Sequence, residues 1–137
     1  MSLVLDASMA LAWQFARNEE AALAERVLLA LPETGAWVPA IWCAEVANAL
    51  LRGERAGVLT AAQSSYFLEQ LAQCRIEVDG VSPLTMQRSV VALARAQGLT
   101  TYDASYLELA LRMNLRLATF DRKLRDAALT VGVKVVA

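Results

Sequence analysis

Two hydrophobic patterns alternate along the chain. Short apolar runs such as LVL at 3–5 are typical of strands, whereas the longer segments between them repeat apolar residues every three or four positions, as amphipathic helices do. The predicted strands cover residues 3–5, 36–39, 76–78, 115–119 and 133–136. Four predicted helices cover residues 8–16, 19–31, 40–56 and 82–98. Thr60 caps a further helix that ends near residue 73. The last two predicted helices begin at Asp103 and at Asp121.

This alternation predicts an α/β fold. Short apolar strands separated by helices of about ten or more residues are typical of a parallel sheet with helices on both faces. No linker, repeat or low-complexity segment interrupts the 137 residues, so we expect a single domain over 1–137. In such sheets ligands bind beyond the carboxyl ends of the strands, which directs the search for functional residues to that edge.

The composition is typical of a soluble protein. Although 57% of the residues are hydrophobic, no apolar run approaches the roughly 18 residues that a membrane span needs. The first residues, MSLVLDAS, lack a basic segment and have Asp6 where a signal peptide is apolar, so we expect no export. Cys43 and Cys74 lie in apolar helical stretches without CxxC spacing, which favours buried free thiols in the reducing cytoplasm.

Histidine is absent from the sequence, and this excludes several kinds of active site. Ser-His and Cys-His nucleophiles and zinc held by histidine all require an imidazole. Catalysis would therefore rest on carboxylates, hydroxyls or a hard cation. The net charge of −1 indicates that the protein as a whole does not attract nucleic acid as a polycation would.

Three acidic residues are expected at one edge of the sheet. Asp6 ends the first strand, Asp121 stands two residues beyond the strand at 115–119, and Asp103 begins the helix before that strand. Because the carboxyl ends of parallel strands meet at one edge, these carboxylates should lie close together. The structural alternative for Asp103 is an N-cap, a role for which Asp is among the preferred residues.

Glu45, in the helical stretch AIWCAEVANALL, is a fourth acidic candidate. Its neighbours are mostly apolar, so burial of this carboxylate costs free energy unless a partner binds it, and exposure on the surface is the structural alternative. Asn48 lies three residues further along, on the same helix face. Clustered carboxylates repel one another unless a cation screens them, and a ligand set made only of oxygen favours Mg²⁺ or Mn²⁺.

Together these residues resemble the PIN-domain ribonucleases, and most of all the VapC-type toxins of bacterial toxin-antitoxin pairs. The resemblance rests on LVLDAS, AEVANALL, YDASYLELA and LATFD, in this order along essentially the whole chain. It implies a three-layer α/β/α fold with a five-stranded, mostly parallel sheet, and a nuclease that cleaves single-stranded RNA with Mg²⁺ or Mn²⁺. The catalytic metal ligands that it implies are Asp6, Glu45, Asp103 and Asp121. The residues that it implies in support of them are Ser8, Asn48 and Thr119.

A basic segment overlaps the last of these motifs. Five of the thirteen basic residues lie within RMNLRLATFDRKLR, at 112–125, against a single acid. A solvated helix face is the structural explanation, and contact with RNA phosphates is the functional one. The candidate RNA-binding residues are Arg112, Arg116, Arg122, Lys123 and Arg125.

The family also implies protein partners. These are a second copy of the chain, in a homodimer, and an antitoxin whose C-terminal segment lies in an apolar groove and directs a basic side chain toward the acids. We therefore expect a surface groove formed by the first helices that includes part of Trp13 or Trp42.

Three other classes of protein can be compared with the same residues. A haloacid-dehalogenase-like phosphatase needs a second acid two residues after the first, where this chain has Ser8. A receiver-type phosphorylation module needs two adjacent acids after the first strand and a lysine, and neither is evident. A PIN-like module without catalytic activity, which binds RNA or protein through the same pocket, stays open. A metal-dependent cleavage assay on long RNA separates that module from a nuclease.

Overall fold

A computed structural model describes residues 1–15 and 19–137 and shows a parallel sheet flanked by helices in three layers. The predicted end of the first helix at Ala16 lies outside the described residues. The strands are β1 (Leu3–Leu5), β2 (Ala36–Val38), β3 (Ile76–Val78) and β4 (Arg116–Ala118). The helices are α1 (Ala7–Phe15), α2 (Glu19–Thr34), α3 (Ile41–Arg55), α4 (Ala61–Ala72), α5 (Pro83–Gln97), α6 (Thr101–Met113) and α7 (Arg122–Thr130).

The sheet has the strand order β3-β2-β1-β4, and every pair of neighbours is parallel. The predicted fifth strand at 133–136 makes only one parallel bridge, between Leu117 and Val135. It is held by hydrogen bonds of 2.9 Å from the Leu117 amide to the Lys134 carbonyl and from the Val136 amide to the Leu117 carbonyl. The turn that follows α7, with Gly132 at φ 85°, ends directly before this segment, and Val135 is the one residue of the segment that forms a bridge with β4.

The centre of the core is formed by β1 and α6. All three residues of β1 are buried, and α6 has an unbroken buried run from 104 to 110 that packs against β1, β4, α5 and α7. Thr100, not Asp103, is the N-cap of α6, because its hydroxyl oxygen accepts a 3.1 Å hydrogen bond from the Asp103 amide. The prediction that the helix begins at Asp103 was therefore wrong by two residues, and the Asp103 carboxylate is not needed for capping.

The two cysteines are free thiols, but the prediction that both are buried was wrong. Cys43 is exposed and Cys74 is partly exposed. Cys43 lies with Ala44 on the outer face of α3, whereas the inner face carries Trp42 and Val46 in the core. An apolar sequence neighbourhood therefore did not determine which face of the helix the thiol occupies.

No helix within residues 1–15 and 19–137 combines the length and the apolar character that crossing a membrane requires.

An ion-pair cluster joins the end of β3 to α6. Arg112, in the last turn of α6, donates hydrogen bonds to Glu108 at 2.9 Å and to Asp79, which follows β3, at 2.5 Å. These hydrogen bonds, first to Glu108 and then to Asp79, raise the pKa of Arg112 above its ordinary value. Glu108 is only 8% exposed, so its carboxylate is bound by Arg112 rather than by water.

We predict that Arg112→Ala lowers the free energy of unfolding by about 1–2 kcal/mol, because it leaves a buried carboxylate without its donor while the site stays partly open to water. Urea denaturation of the variant measures the loss. Arg95→Ala on α5 is the control, since Arg95 is exposed and belongs to neither of the ion pairs found among the described residues. Equal denaturation midpoints for the two variants would contradict a stabilising role for Arg112.

Candidate active site

Four carboxylates line one cavity at the carboxyl edge of the sheet. Parallel pairing sets Leu5 of β1 beside Ala118 of β4, so the segments that follow these two strands emerge side by side. The cavity has a volume of about 510 Å³. Its polar walls include the four predicted acids and two of the predicted supporting residues, which are Asp6, Glu45, Asp103, Asp121, Ser8 and Asn48.

Asp6 is held at the base of the cavity by two hydroxyl groups. It is 5% exposed, and its Oδ2 accepts hydrogen bonds from Ser8 Oγ at 2.5 Å and from Thr119 Oγ1 at 2.7 Å. The same hydroxyl oxygens accept from the amides of Phe120 and Asp121, each at 2.9 Å. Burial raises the pKa of Asp6. The hydrogen bonds from Ser8 and Thr119 lower this pKa, and the charge of Asp121 raises it.

Glu45 faces the cavity and is oriented by a tyrosine that sequence analysis missed. Tyr106 of α6 is completely buried, and its hydroxyl donates a 2.5 Å hydrogen bond to Glu45 Oε1. Loss of solvent raises the pKa of Glu45, the hydrogen bond lowers it, and the charges of Asp6 and Asp103 raise it. One signal in the sequence could have identified Tyr106. It lies three residues after Asp103, and a buried phenol in this position requires a hydrogen-bond acceptor.

Asp103 and Asp121 have different local roles. Asp103 lies in the first turn of α6, and its pKa is raised by burial first and then by the charges of Asp121 and Asp6. Asp121 is the N-cap of α7, since its Oδ1 accepts a 2.8 Å hydrogen bond from the Leu124 amide. Thr100 therefore has the capping role in α6 that was considered for Asp103, and Asp121 caps α7.

The raised pKa values make the metal-free site a destabilising feature at neutral pH. An acid whose pKa is higher in the folded state binds its proton more tightly there than in the unfolded chain. Its contribution to stability is complete below the ordinary pKa, 3.8 for Asp6 and Asp103 and 4.5 for Glu45, and is lost as pH rises through the raised values. At neutral pH the cluster therefore favours a cation that offsets its charge.

The chemistry of the donor set fits a hard divalent cation. All the acidic side chains of the cavity offer oxygen, and the chain has no histidine, so Mg²⁺ or Mn²⁺ fits better than zinc. In the part of the chain that the structure describes, no three acidic groups already converge closely enough to hold an ion between them. Asp6, Glu45 and Asp121 are each turned toward a hydrogen-bond donor of the protein. Water would thus complete the shell of a bound ion, as is common for Mg²⁺.

The basic residues predicted to bind RNA fall into two groups. Arg122, Lys123 and Arg125 are exposed on α7, directly after Asp121, and Lys123 is close enough to Asp103 to lower the pKa of that carboxyl.

The other two predicted RNA-binding residues lie away from the acids. Arg112 is held by Glu108 and Asp79 at the opposite end of α6 from Asp103. Arg116 begins β4 and pairs with Leu3 at the amino edge of the sheet. The prediction treated 112–125 as one unit because the charges are adjacent in sequence, whereas β4 separates them in space.

The cavity is also lined by one charged and one aromatic side chain that were not predicted. Arg52 lies four residues after Asn48 and seven after Glu45, so all three share one face of α3. Tyr102 directly precedes Asp103 and lines the same cavity. Helical spacing was a signal for Arg52, while nothing in the sequence distinguishes Tyr102 from an ordinary exposed aromatic residue.

Comparison with known proteins gives matches in both sequence and fold. The sequence matches the PIN domain family over residues 3–129. It is 34% identical over 126 residues to Ribonuclease VapC3 of Pyrobaculum aerophilum, which covers 92% of this chain and 94% of the relative. The crystal structure of PAE2754 from Pyrobaculum aerophilum superposes with a TM-score of 0.70 at 28% identity, over 93% of this chain and 87% of the other.

A more distant structure has the same fold. VapBC2 from Rickettsia felis, solved bound to a DNA fragment from its promoter, superposes with a TM-score of 0.68 at 15% identity, over 98% of this chain and 97% of that chain. The family match over residues 3–129, together with the relative that is 34% identical over 92% of this chain, shows that the chain belongs to the PIN-domain family and, within it, to the VapC type.

Proposed function

We propose that this chain is a Mg²⁺- or Mn²⁺-dependent endoribonuclease that cleaves single-stranded RNA and acts as the toxin of a toxin-antitoxin pair. The observation that carries the proposal is the cavity in which Asp6, Glu45, Asp103 and Asp121 meet, with the pKa of the first three raised. The relative from Pyrobaculum aerophilum is named a ribonuclease, which supports RNA as the substrate. The free thiols of Cys43 and Cys74 favour the cytoplasm as the place of action.

The protein groups have separate roles in this proposal. Asp6, Glu45 and Asp103 are the direct ligands, and Asp121, which already caps α7, acts through water or as an outer ligand. When bound, the cation supplies activation of a water molecule and neutralises the charge that develops on the cleaved phosphate. Ser8 and Thr119 hold Asp6 in one orientation, as Tyr106 does for Glu45.

The partner proposal rests on an apolar groove of about 240 Å³ between α1, α2 and α4. This groove lies at the first helices, where one was expected. Trp13 lines it, while Trp42 is buried in the core. Its other walls include Leu28, Tyr66 and Phe67. The neighbour from Rickettsia felis was solved as VapBC2, and this supports an antitoxin segment as the occupant here.

A homodimer is the second proposed assembly. A wide groove of about 620 Å³ runs between α5 and α6, and its walls include Leu93, Ala96 and the 42% exposed Leu111. Small and apolar residues on a pair of packed helices suit a second copy of the same surface, as in a two-fold dimer.

The catalytic proposal is tested most directly at Asp103. We predict that Asp103→Asn raises the melting temperature in chelator, because it removes a charge that Asp121 and Asp6 repel. The lost attraction to the helix N-terminus, about 0.3–1 kcal/mol, opposes this gain but is outweighed, since the pKa of Asp103 is raised overall. The variant should also lose most of the Mg²⁺-induced stabilisation and cleave RNA at least about 100-fold more slowly.

Melting curves with and without Mg²⁺, beside a cleavage assay on long RNA, measure these three effects. Asp126→Asn is the matched control, since Asp126 is an exposed acid of α7 outside the cavity. Equal Mg²⁺ stabilisation and equal cleavage in Asp103→Asn and wild type would remove Asp103 from the site. RNA binding by the wild type without cleavage in Mg²⁺ or Mn²⁺ would favour the inactive RNA-binding module instead.

The basic residues of α7 give a second prediction. Arg122→Ala combined with Lys123→Ala should weaken RNA binding and flatten its dependence on salt, by about 0.7 in log–log slope for each phosphate of a single strand that the protein no longer neutralises. Titration of labelled RNA at several salt concentrations measures the slope. The control variant Arg26→Ala with Arg95→Ala removes the same charge from exposed positions of α2 and α5. If both double variants change the slope equally, the α7 residues act only through net charge.

The groove between α1, α2 and α4 gives a third prediction. Tyr66→Ala should weaken inhibition of RNA cleavage by the cognate antitoxin about tenfold or more, because Tyr66 is a large exposed apolar contact in this groove. The measurement is the antitoxin concentration that halves cleavage. Leu129→Ala, at an exposed position of α7, is the control. Unchanged inhibition of Tyr66→Ala would show that the antitoxin binds elsewhere.

A further inference from the structure

Tyr102 stands at the boundary between the acidic cavity and a second, apolar depression. Its side chain is 58% exposed and lines both. The second depression, which we call the Tyr102 groove, has a volume of about 290 Å³ and lies between α5 and the beginnings of α3 and α6. Its remaining walls include Ile41, Met86, Val90 and Val91. The two spaces adjoin, so a chain bound at the acids can reach the groove directly.

We infer that Tyr102 and the groove beside it bind one unpaired base of the RNA, in the nucleotide next to the cleaved phosphate. This inference rests on the proposed nuclease function and names the feature of RNA that the site recognises. A base paired in a helix is stacked on its neighbours and cannot enter the groove, whereas an unpaired base can turn out of the strand. The groove therefore favours single-stranded RNA for a steric reason.

The chemistry of the groove suits a nucleobase. Its volume lies just below the range of about 300–1,000 Å³ that is typical of drug-sized ligands, so it fits a fragment as small as one base. The ring of Tyr102 offers a face for stacking, and stacking accepts any base because every base has a π face. The side-chain amide of Gln87 also lines the groove and can donate to or accept from the edge of the base.

The position of Tyr102 in the chain ties the groove to the proposed reaction centre. Asp103 is the next residue, and both side chains line the acidic cavity. A base stacked on Tyr102 therefore belongs to a nucleotide that adjoins the phosphate at the acids. Arg52 on the wall of the same cavity is available to a phosphate of that strand, since it forms no ion pair with the described residues.

The experiment uses the full chain and a single-stranded RNA oligonucleotide that contains a cleavage site mapped with the wild-type protein. A second oligonucleotide has an abasic nucleotide on one side of that site, and a third has it on the other side. Cleavage with Mg²⁺ gives kcat/KM, and fluorescence anisotropy in chelator gives binding for each RNA. The variants are Tyr102→Ala, Tyr102→Phe and the control Leu29→Ala, which shortens an exposed side chain of α2 away from both spaces.

We expect Tyr102→Ala to lower kcat/KM and affinity for the intact RNA at least about fivefold, the loss expected for one stacked base, while Tyr102→Phe keeps the ring and stays near wild type. One of the two abasic RNAs should lower the wild-type values by a similar factor. The same abasic change should have little effect on Tyr102→Ala, because the stacking partner is already absent.

Two outcomes would overturn the inference. One is intact RNA bound and cleaved by Tyr102→Ala as by wild type. The other is a change in the sedimentation mass of the protein when Tyr102 is replaced, while the abasic RNAs still differ from the intact RNA as they do with wild type. That result would assign the groove to a second copy of the chain. Absence of cleavage by the wild type would refute the nuclease proposal alone, because the anisotropy measurements still decide whether Tyr102 binds a base.

Discussion

The parallel pairing of β1 with β4 is the constraint on which the rest of the site depends. It sets Leu5 beside Ala118, so Asp6 and Thr119 leave the sheet at the same level. Two residues far apart in sequence then share a hydrogen bond of 2.7 Å, and Ser8 and the Phe120 amide extend this network. Each hydroxyl both donates to the acid and accepts from a backbone amide, which fixes the turns after both strands. Any shift in the register of β4 would break this network and displace Asp121 from the cavity.

The helix α6 links the core to the cavity. Its middle is buried on all sides, which fixes the helix against β1 and β4, while Asp103 at its first turn reaches the acids. Tyr106 orients Glu45, because its ring is completely buried and its hydroxyl donates a hydrogen bond to the carboxylate. At the other end, Arg112 binds both Glu108 of the same helix and Asp79 in the segment after β3. One helix therefore supplies a proposed ligand, a positioning residue and an ion pair that supports the fold.

The acidic cavity lowers the free energy of unfolding of the protein at neutral pH. Burial and mutual repulsion raise the pKa of Asp6, Glu45 and Asp103, so the charged form of each group costs more free energy in the folded protein than in the unfolded chain. A surrounding core of buried aliphatic residues supports this arrangement. Functional sites often combine local strain or repulsion with rigid supports in this way, because the interactions that bind a ligand are unsatisfied until it arrives.

By itself the sequence determined the α/β alternation, most helix and strand positions, and the four acids. Apolar periodicity depends only on which side chains must leave water, so β1, β3 and α5 were predicted closely. Residues that act together through space were not visible in this way. Only the tertiary structure decided that Tyr106 pairs with Glu45, that Arg112 binds Asp79 instead of facing the acids, and that Cys43 is exposed. The reason is physical, because the partner of a buried polar group or an ion pair is set by which elements pack together, and local pattern does not contain that information.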